Sequence, residues 1–428
     1  AGLTAGSTVT QADIDGETHL LDINIAGLKD TKHARMLPEL APYREKLARL
    51  LDAAPAGRLE YRDVIEAGIA QDDCNAAHGL EWERWQPPYG KPGDNLETLK
   101  SKLASSVDCS DVPRLGGLWR ELGLFLHAGS IHDRCGRITV TDDGFSVTRR
   151  KDIEIKWRAP TLVMSATLRL DLVRPYFPSV EMVAGIQAAA PHQRVIYHHG
   201  KSFSHAVLNG TQAEQKAGTL PKSAENLRKA IWEHALALHR LNGGETLLIA
   251  PLAVEEWLRE QFDVPDGLHL AHHGAIAGRD EWRDVRTMVQ VGRTQPPPDA
   301  VAGMASKISG LAVESLQDED GWYPARLVTL TDRRGQSVTV EAETAGDGLA
   351  ETVRASICEA AALQGTGRAR GVNRSEDDPV EIHLFGTGPI PGVEIDELRE
   401  WKRLSKEEIF TAETGVWLES AGDMAGLM

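Results

Sequence analysis

The sequence predicts an α/β protein: a mostly parallel sheet covered by helices, preceded by a mostly helical N-terminal region and interrupted by a β-hairpin insertion. Three observations carry this. From Pro160 onward, short apolar runs alternate with amphipathic stretches, the strand, loop, helix texture of parallel-sheet units. Upstream, Leu and Ala recur among charges at helical spacing. A chain of 428 residues with 41% hydrophobic content is long enough for two or three domains with sizeable cores.

Each element follows from its local pattern. Pro42 to Ala53 and Leu96 to Ser106 read as amphipathic helices, and Leu118 to Leu126 as a shorter one. Pro87-Pro88-Tyr89-Gly90 and Lys91-Pro92-Gly93 make a turn-rich break between them. Arg137 to Thr141 and Phe145 to Arg149 alternate around Asp142-Asp143-Gly144 as a hairpin does, and a further strand is expected over Ile153 to Trp157. Strands are then expected at Thr161 to Met164 and Gln193 to Tyr197, followed by a long helix from Ala224 to Leu241 that Asn242-Gly243-Gly244 ends. Thr246 to Ala250 reads as a buried strand feeding a helix over Val254 to Phe262. Leu268 to Ala271 and Thr287 to Val291 give two more strands before Pro296-Pro297-Pro298. A second hairpin, Arg326 to Thr331 with Ser337 to Glu343, lies in a polar insertion at about 295–348. The helix Leu349 to Leu363, the buried strand Val380 to Phe385 and a helix over Glu394 to Trp401 complete the series.

Composition narrows the function. No run reaches the roughly 18 apolar residues of a membrane span, and AGLTAGSTVT lacks the pattern of a secretory signal, so a cytoplasmic protein with no membrane partner is expected. Cys74, Cys109, Cys135 and Cys358 form no CxxC pair, which favours free thiols. A net charge of −16 opposes coating nucleic acid through bulk charge, so any such contact must be local. Basic residues cluster at Arg149-Arg150-Lys151 and at Arg368, Arg370 and Arg374, and only the second cluster lies in a motif.

That motif is Gln364-Gly365-Thr366-Gly367-Arg368-Ala369-Arg370-Gly371-Val372-Asn373-Arg374, at the end of a predicted helix. Arginine suits phosphate because its planar fork grips two oxygens where lysine is a point charge. Upstream, Thr161-Leu162-Val163-Met164-Ser165-Ala166-Thr167 ends an apolar run in two short hydroxyls, which can exchange hydrogen-bond partners without filling space. Between them, Ala277-Gly278-Arg279-Asp280 follows a strand; glycine there lets backbone approach phosphate or sugar. Gly244 to Pro251 adds a strand of a kind common to α/β proteins.

In this order the four stretches resemble motifs VI, III, V and IV of superfamily-two helicases, most closely the helicase-like ATPases borne by phages and plasmids. The resemblance covers about Pro160 to Phe385. It implies two RecA-like domains with ATP and nucleic acid bound across their junction and a linker near Ser179 to Gln193. Residues 1–158 would belong to, or be inserted in, the first motor domain, 159–182 would end that domain, and 183–428 would form the second. Arg368 and Arg370 would be the catalytic arginine fingers for a γ-phosphate. Gln364, Gly367, Gly278 and Asp280 would line the nucleotide side, Asp280 holding either a ribose hydroxyl or a partner arginine. Ser165, Thr167, Arg279 and Arg374 would bind nucleic acid or couple the two sites. In Ala277-Gly278-Arg279-Asp280 the arginine follows the glycine, whereas in the family it precedes it.

No complete phosphate-binding loop, G-x-x-x-x-G-K-[ST], occurs: before Gly200-Lys201-Ser202, Val195 stands where the first glycine belongs. The expectation is therefore a portion of an ATP-dependent DNA helicase or translocase. ATP and Mg2+ would be held by an upstream ATP-binding domain, none would be bound by this chain alone, and single-stranded DNA would be the partner. The alternatives are a non-catalytic RecA-like module that binds DNA or a protein, and an unrelated α/β enzyme. Cys74, His78, Cys109, His127, His132 and Cys135 fit no compact zinc spacing, so no metal site is expected. The adjacent pairs His198-His199 and His272-His273 read as ordinary polar positions.

Overall fold

The structure, a computed structural model, describes residues 23–24, 38–84, 93–104, 112–129, 133–142, 144–148, 153, 158–186, 188–346, 348–386 and 388–416. The chain forms two units: Ala1–Thr161 with Leu172–Pro178 and Asp299–Ser315, and Leu162–Asp171 with Ser179–Pro298 and Leu316–Met428.

The first unit packs helices on a small sheet. Along the chain come β1 (Ile23–Asn24), α1 (Ala41–Ala53), β2 (Gly57–Glu60), α2 (Tyr61–Glu66), α3 (Gln71–Glu83), α4 (Leu96–Ala104), α5 (Val112–Ala128), β3 (Arg134–Thr141) and β4 (Gly144–Val147). The strands pair antiparallel in the order β1-β4-β3-β2. β3 and β4 form the predicted hairpin, with Ile138 opposite Val147. On α5, Leu115, Leu118, Trp119, Leu122 and Phe125 recur every three or four residues and so lie on one stripe. They pack with Leu47, Leu50, Ile138 and Val140 in the core. Glu81 is fully buried there because Arg44 and Arg84 both pair with it.

α6 (Leu170–Val173) is divided by the boundary after Asp171, and the second unit continues with β5 (Gln193–His199), α7 (His205–Asn209), α8 (Gln212–Lys216) and α9 (Lys222–Asn242). β6 (Thr246–Ala250), α10 (Leu252–Gln261), β7 (Leu268–His272) and β8 (Thr287–Val291) follow. The chain then returns to the first unit as α11 (Pro298–Ser309). There Arg137 of β3 pairs with Glu121 at 2.9 Å and donates to the carbonyls of Lys307 and Ile308 in the last helical turn. The second unit resumes with β9 (Ala325–Thr331), β10 (Ser337–Glu343), α12 (Gly348–Ile357), α13 (Glu359–Thr366), β11 (Val380–Phe385), β12 (Glu397–Glu400) and α14 (Lys406–Thr414).

Six strands pair in parallel in the order β12-β5-β11-β8-β6-β7, and helices cover the sheet. Successive residues face opposite ways, and both faces are buried. Val195, Tyr197, Leu247, Ile249, Met288, Ile382 and Leu384 form one core with Ala362 of α13. Leu248, Ala250, Val289, Val291 and Phe385 form the other with Leu227, Ile231 and Ala235 of α9. β9 and β10 make a separate antiparallel hairpin.

Several expectations are corrected. Thr161 to Met164 is not a strand. Among the described residues no strand pairs with it, and Leu162 and Met164 stand 74% and 84% exposed. The helix expected over Glu394 to Trp401 is an edge strand: Asp396 accepts from and donates to the backbone of Val195, and β12 satisfies the open edge of β5. The single helix over 349–363 is two, meeting at Cys358. Within the stretch 295–348, where an insertion is expected, Asp299–Ser315 groups with the first unit and the hairpin with the second. Of the expected strand at 153–157, residue 153 is outside any strand and the others lie outside the described residues, as does most of the break at 87–93. Among the described residues, no helix is long and apolar enough to cross a membrane.

Candidate functional site

Two loops carry most of the motif residues. After β7 a short 3-10 turn, His273–Ala275, leads to Gly278, whose φ of +74° sends the chain into a left-handed turn that exposes Arg279 and Asp280. The second loop follows α13 as two 3-10 turns, Gly367–Ala369 and Gly371–Asn373. Arg370 joins them with φ 50° and ψ 43°, the one left-handed non-glycine residue among those described. For a residue with a Cβ this conformation costs about 1 kcal/mol or more. Glycine follows, and a Cβ at Gly371 would overlap the side-chain amide of Gln193 at the start of β5, so a larger residue requires that amide to shift.

The two loops lie about 90 residues apart in sequence and are bonded to each other. Arg370 donates through Nε (2.8 Å) and Nη2 (2.5 Å) to Oδ1 of Asp280, and Arg368 donates through Nη1 to the carbonyl of Arg279 at 2.7 Å. The Nε of Arg368 is buried without a partner. Burial lowers the pKa of this guanidinium, and the neighbouring Arg370 charge adds to the shift. Arg279 pairs with Glu281 at 3.2 Å and lies over the ring of Trp282. Gln364 donates to Thr167 Oγ1 at 3.4 Å, and Ser165 Oγ accepts from the Thr167 amide at 3.2 Å. The ends of the first and last motif stretches therefore touch.

Arg374, expected to bind nucleic acid or couple the two sites, is buried. Nε and Nη2 donate to the carbonyl of Ala369, Nη2 also to those of Arg283 and Val285, and Nη1 pairs with Asp378 at 2.8 Å. These bonds tie the loop to the chain entering β8. Beside it lies an open cleft of about 350 Å³, lined by Asp280, Arg283, Asp284, Arg370, Asn373 and Asp378. Since Arg283 and Asp378 lie in the segments that lead into β8 and β11, the cleft lies at the amino ends of these strands.

The carboxyl ends carry a different set that the sequence does not announce. Gly200-Lys201-Ser202 follows β5 in an exposed turn. Arg293, just after β8, is buried against Glu343 and lies 3.5 Å from Glu359, while Arg354 pairs with Glu351 and Glu359 at 2.7 Å. Burial pushes the neighbouring Cys358 thiol up to about 12. The only sequence signal is the i, i+3 pair Glu351/Arg354, which any helix surface carries. Of the cysteine and histidine candidates in the first unit, Cys74 and Cys135 are buried free thiols and His78 bonds the carbonyl of Gly116. Cys109 and His132 lie outside the described residues. His198, read as an ordinary polar position, is in fact buried against His234 and His383. No protein-family model matches the chain, and no curated protein matches it.

Proposed function

We propose that the second unit is the second motor half of a nucleic-acid-dependent ATPase of the helicase type, RecA-like in fold, presenting Arg368 and Arg370 to the γ-phosphate of ATP and Mg2+ held by another domain. The observation that carries this reading is the bonding of the Arg368–Arg370 turn to the Arg279–Asp280 turn. Two loops distant in sequence converge, and the arginine conformation is one that the local backbone does not favour. Strain of this kind persists where surrounding contacts hold a side chain for a task. Arg370 spends two donors on a single exposed oxygen of Asp280 and keeps Nη1 for another acceptor.

The residues fit the charge of a polyphosphate but do not cradle it, since the sequence has no phosphate-binding loop. The donors would therefore act across a cleft, neutralising charge on phosphate oxygens that another domain positions. The contact of Thr167 with Gln364 supports a link between the nucleotide edge and the upstream segment. The carboxylates of Asp280, Asp284 and Asp378 in the same cleft favour a second reading, a non-catalytic module that docks a basic partner protein.

The test extends the chain upstream in its natural reading frame to the first phosphate-binding loop and measures ATP hydrolysis with and without single-stranded DNA. DNA-stimulated turnover is expected, with Arg368→Ala and Arg370→Ala each lowering kcat by about 10³ or more while nucleotide affinity changes little. Undiminished kcat in both variants, or a reading frame without such a loop, would overturn the motor assignment and leave the partner-binding module.

A further inference from the structure

We propose that His198, His234 and His383 form a binding site for a zinc-like transition-metal ion, on the sheet face opposite α13. The fold brings them together from three elements. β5 and β11 are adjacent and parallel, with Phe385 opposite His198, so His198 and His383 fall diagonally on one face. They alternate with Tyr197 and Leu384, which face the other core. α9 covers their face and contributes His234. The three are 2%, 8% and 0% exposed for His198, His234 and His383, and one ring nitrogen of each lies within 4.8 Å of the others.

The hydrogen bonds point the same way. His383 Nε2 lies 2.7 Å from Oε1 of Glu381, whose other oxygen accepts from Arg194 at 2.9 Å. With that nitrogen donating to the carboxylate, Nδ1 is left with its lone pair facing Nε2 of His198 at 3.0 Å. A histidine that holds a metal commonly gives its other N–H to a carboxylate in this way, which fixes the ring and raises its basicity. The remaining nitrogens are unaccounted for: Nδ1 of His198 and both nitrogens of His234 are buried without a hydrogen-bond partner. Phe385 stacks on His198 at 4.1 Å and Trp401 packs against His234 at 5.2 Å, so aromatic carbon surrounds groups that need polar partners. Among the described residues this is the one cluster of three such side chains with ligand spacing.

Three neutral imidazoles suit zinc, cobalt, nickel or copper rather than magnesium or calcium. Tetrahedral bonds of about 2.0–2.1 Å place ligand nitrogens about 3.3 Å apart, inside the range between the 3.0 Å pair and the 4.8 Å limit. Coordination requires neutral imidazoles, whose lone pairs are free to face the ion. A bound ion would tie α9 to β5 and β11, with its fourth position left to water.

The full chain, free of any affinity tag, would be purified from zinc-supplemented cells for elemental analysis, then stripped with a chelator in denaturant and refolded with Co2+. One equivalent of metal per chain, cobalt d–d absorption and a higher melting temperature with metal are expected. His234→Phe, which suits the surrounding aromatic rings, is expected to melt cooperatively yet bind Co2+ at least tenfold more weakly. Wild type refolded with Co2+ that shows neither absorption bands nor a melting shift overturns the site and leaves aromatic packing of histidines. Undiminished binding by His234→Phe also overturns it. If that variant does not fold, X-ray absorption of the wild-type cobalt form decides: three imidazoles in the shell support the site, and fewer than two overturn it.

Discussion

Gly371 and Arg374 show how single residues hold the arginine turn in place. Gly371 lets the loop pass against Gln193, and Arg374 spends its donors on carbonyls of the chain entering β8. Gly371→Ala is expected to destabilise the fold by about 1–3 kcal/mol, the usual penalty for overpacking. Urea unfolding measures it, and a midpoint equal to wild type would mean that Gln193 simply moves aside. His273 supplies a pH dependence. Its Nε2 donates to the carbonyl of Val291 at 2.9 Å, and burial lowers its pKa, so the folded chain keeps it neutral where the unfolded chain, near pH 6.5, takes up a proton. Stability contributed by His273 is present above about pH 6.5 and is lost as pH falls through the lowered folded value. His273→Asn is expected to flatten the loss of melting temperature between about pH 6.5 and 5, and an unchanged slope would remove His273 from the account. At this scale the sequence was partly legible. The arginines of the motif were visible as a group, but nothing in the string separates Arg370, half-exposed on Asp280, from Arg374, buried among carbonyls.

At the scale of elements, legibility followed burial. β6, β8 and β11 have the predicted ends because both their faces are covered, so every residue of the run is apolar or internally paired. Glu394 to Trp401 misled because its charges suit a helix surface, whereas the deciding partner is the edge of β5, supplied by residues some two hundred positions earlier. Thr161 to Met164 misled in the opposite sense: an apolar run reads as a strand whether or not a neighbour exists. The histidine cluster joins two strands and a helix, so no local window contains it. Since Asp396 fixes the entry to β12 through Val195 and also accepts from Arg333, Asp396→Ala is expected to free that edge. Amide exchange of Glu397 to Glu400 is expected to accelerate tenfold or more while β6 and β8 stay protected. Equal exchange in both proteins would show that pairing with β5 alone holds the strand.

For the whole molecule, the net charge of −16 leaves arginine clusters, rather than bulk charge, to meet any polyanion. Connectivity matters as much as charge, because the first unit is completed by Asp299–Ser315. The amide of Gly136 donates to the carbonyl of Gly310, that of Ala312 to Arg134, and Arg137 grips the end of α11. Those bonds cannot form until residue 312 has been made. At roughly 5–20 residues per second the ribosome takes on the order of ten seconds to pass from residue 179 to residue 298, and β5, β6, β7 and β8 emerge in that interval. Of these two units, the one made first is therefore the one that must wait, holding an unfinished surface open while its successor is already pairing strands.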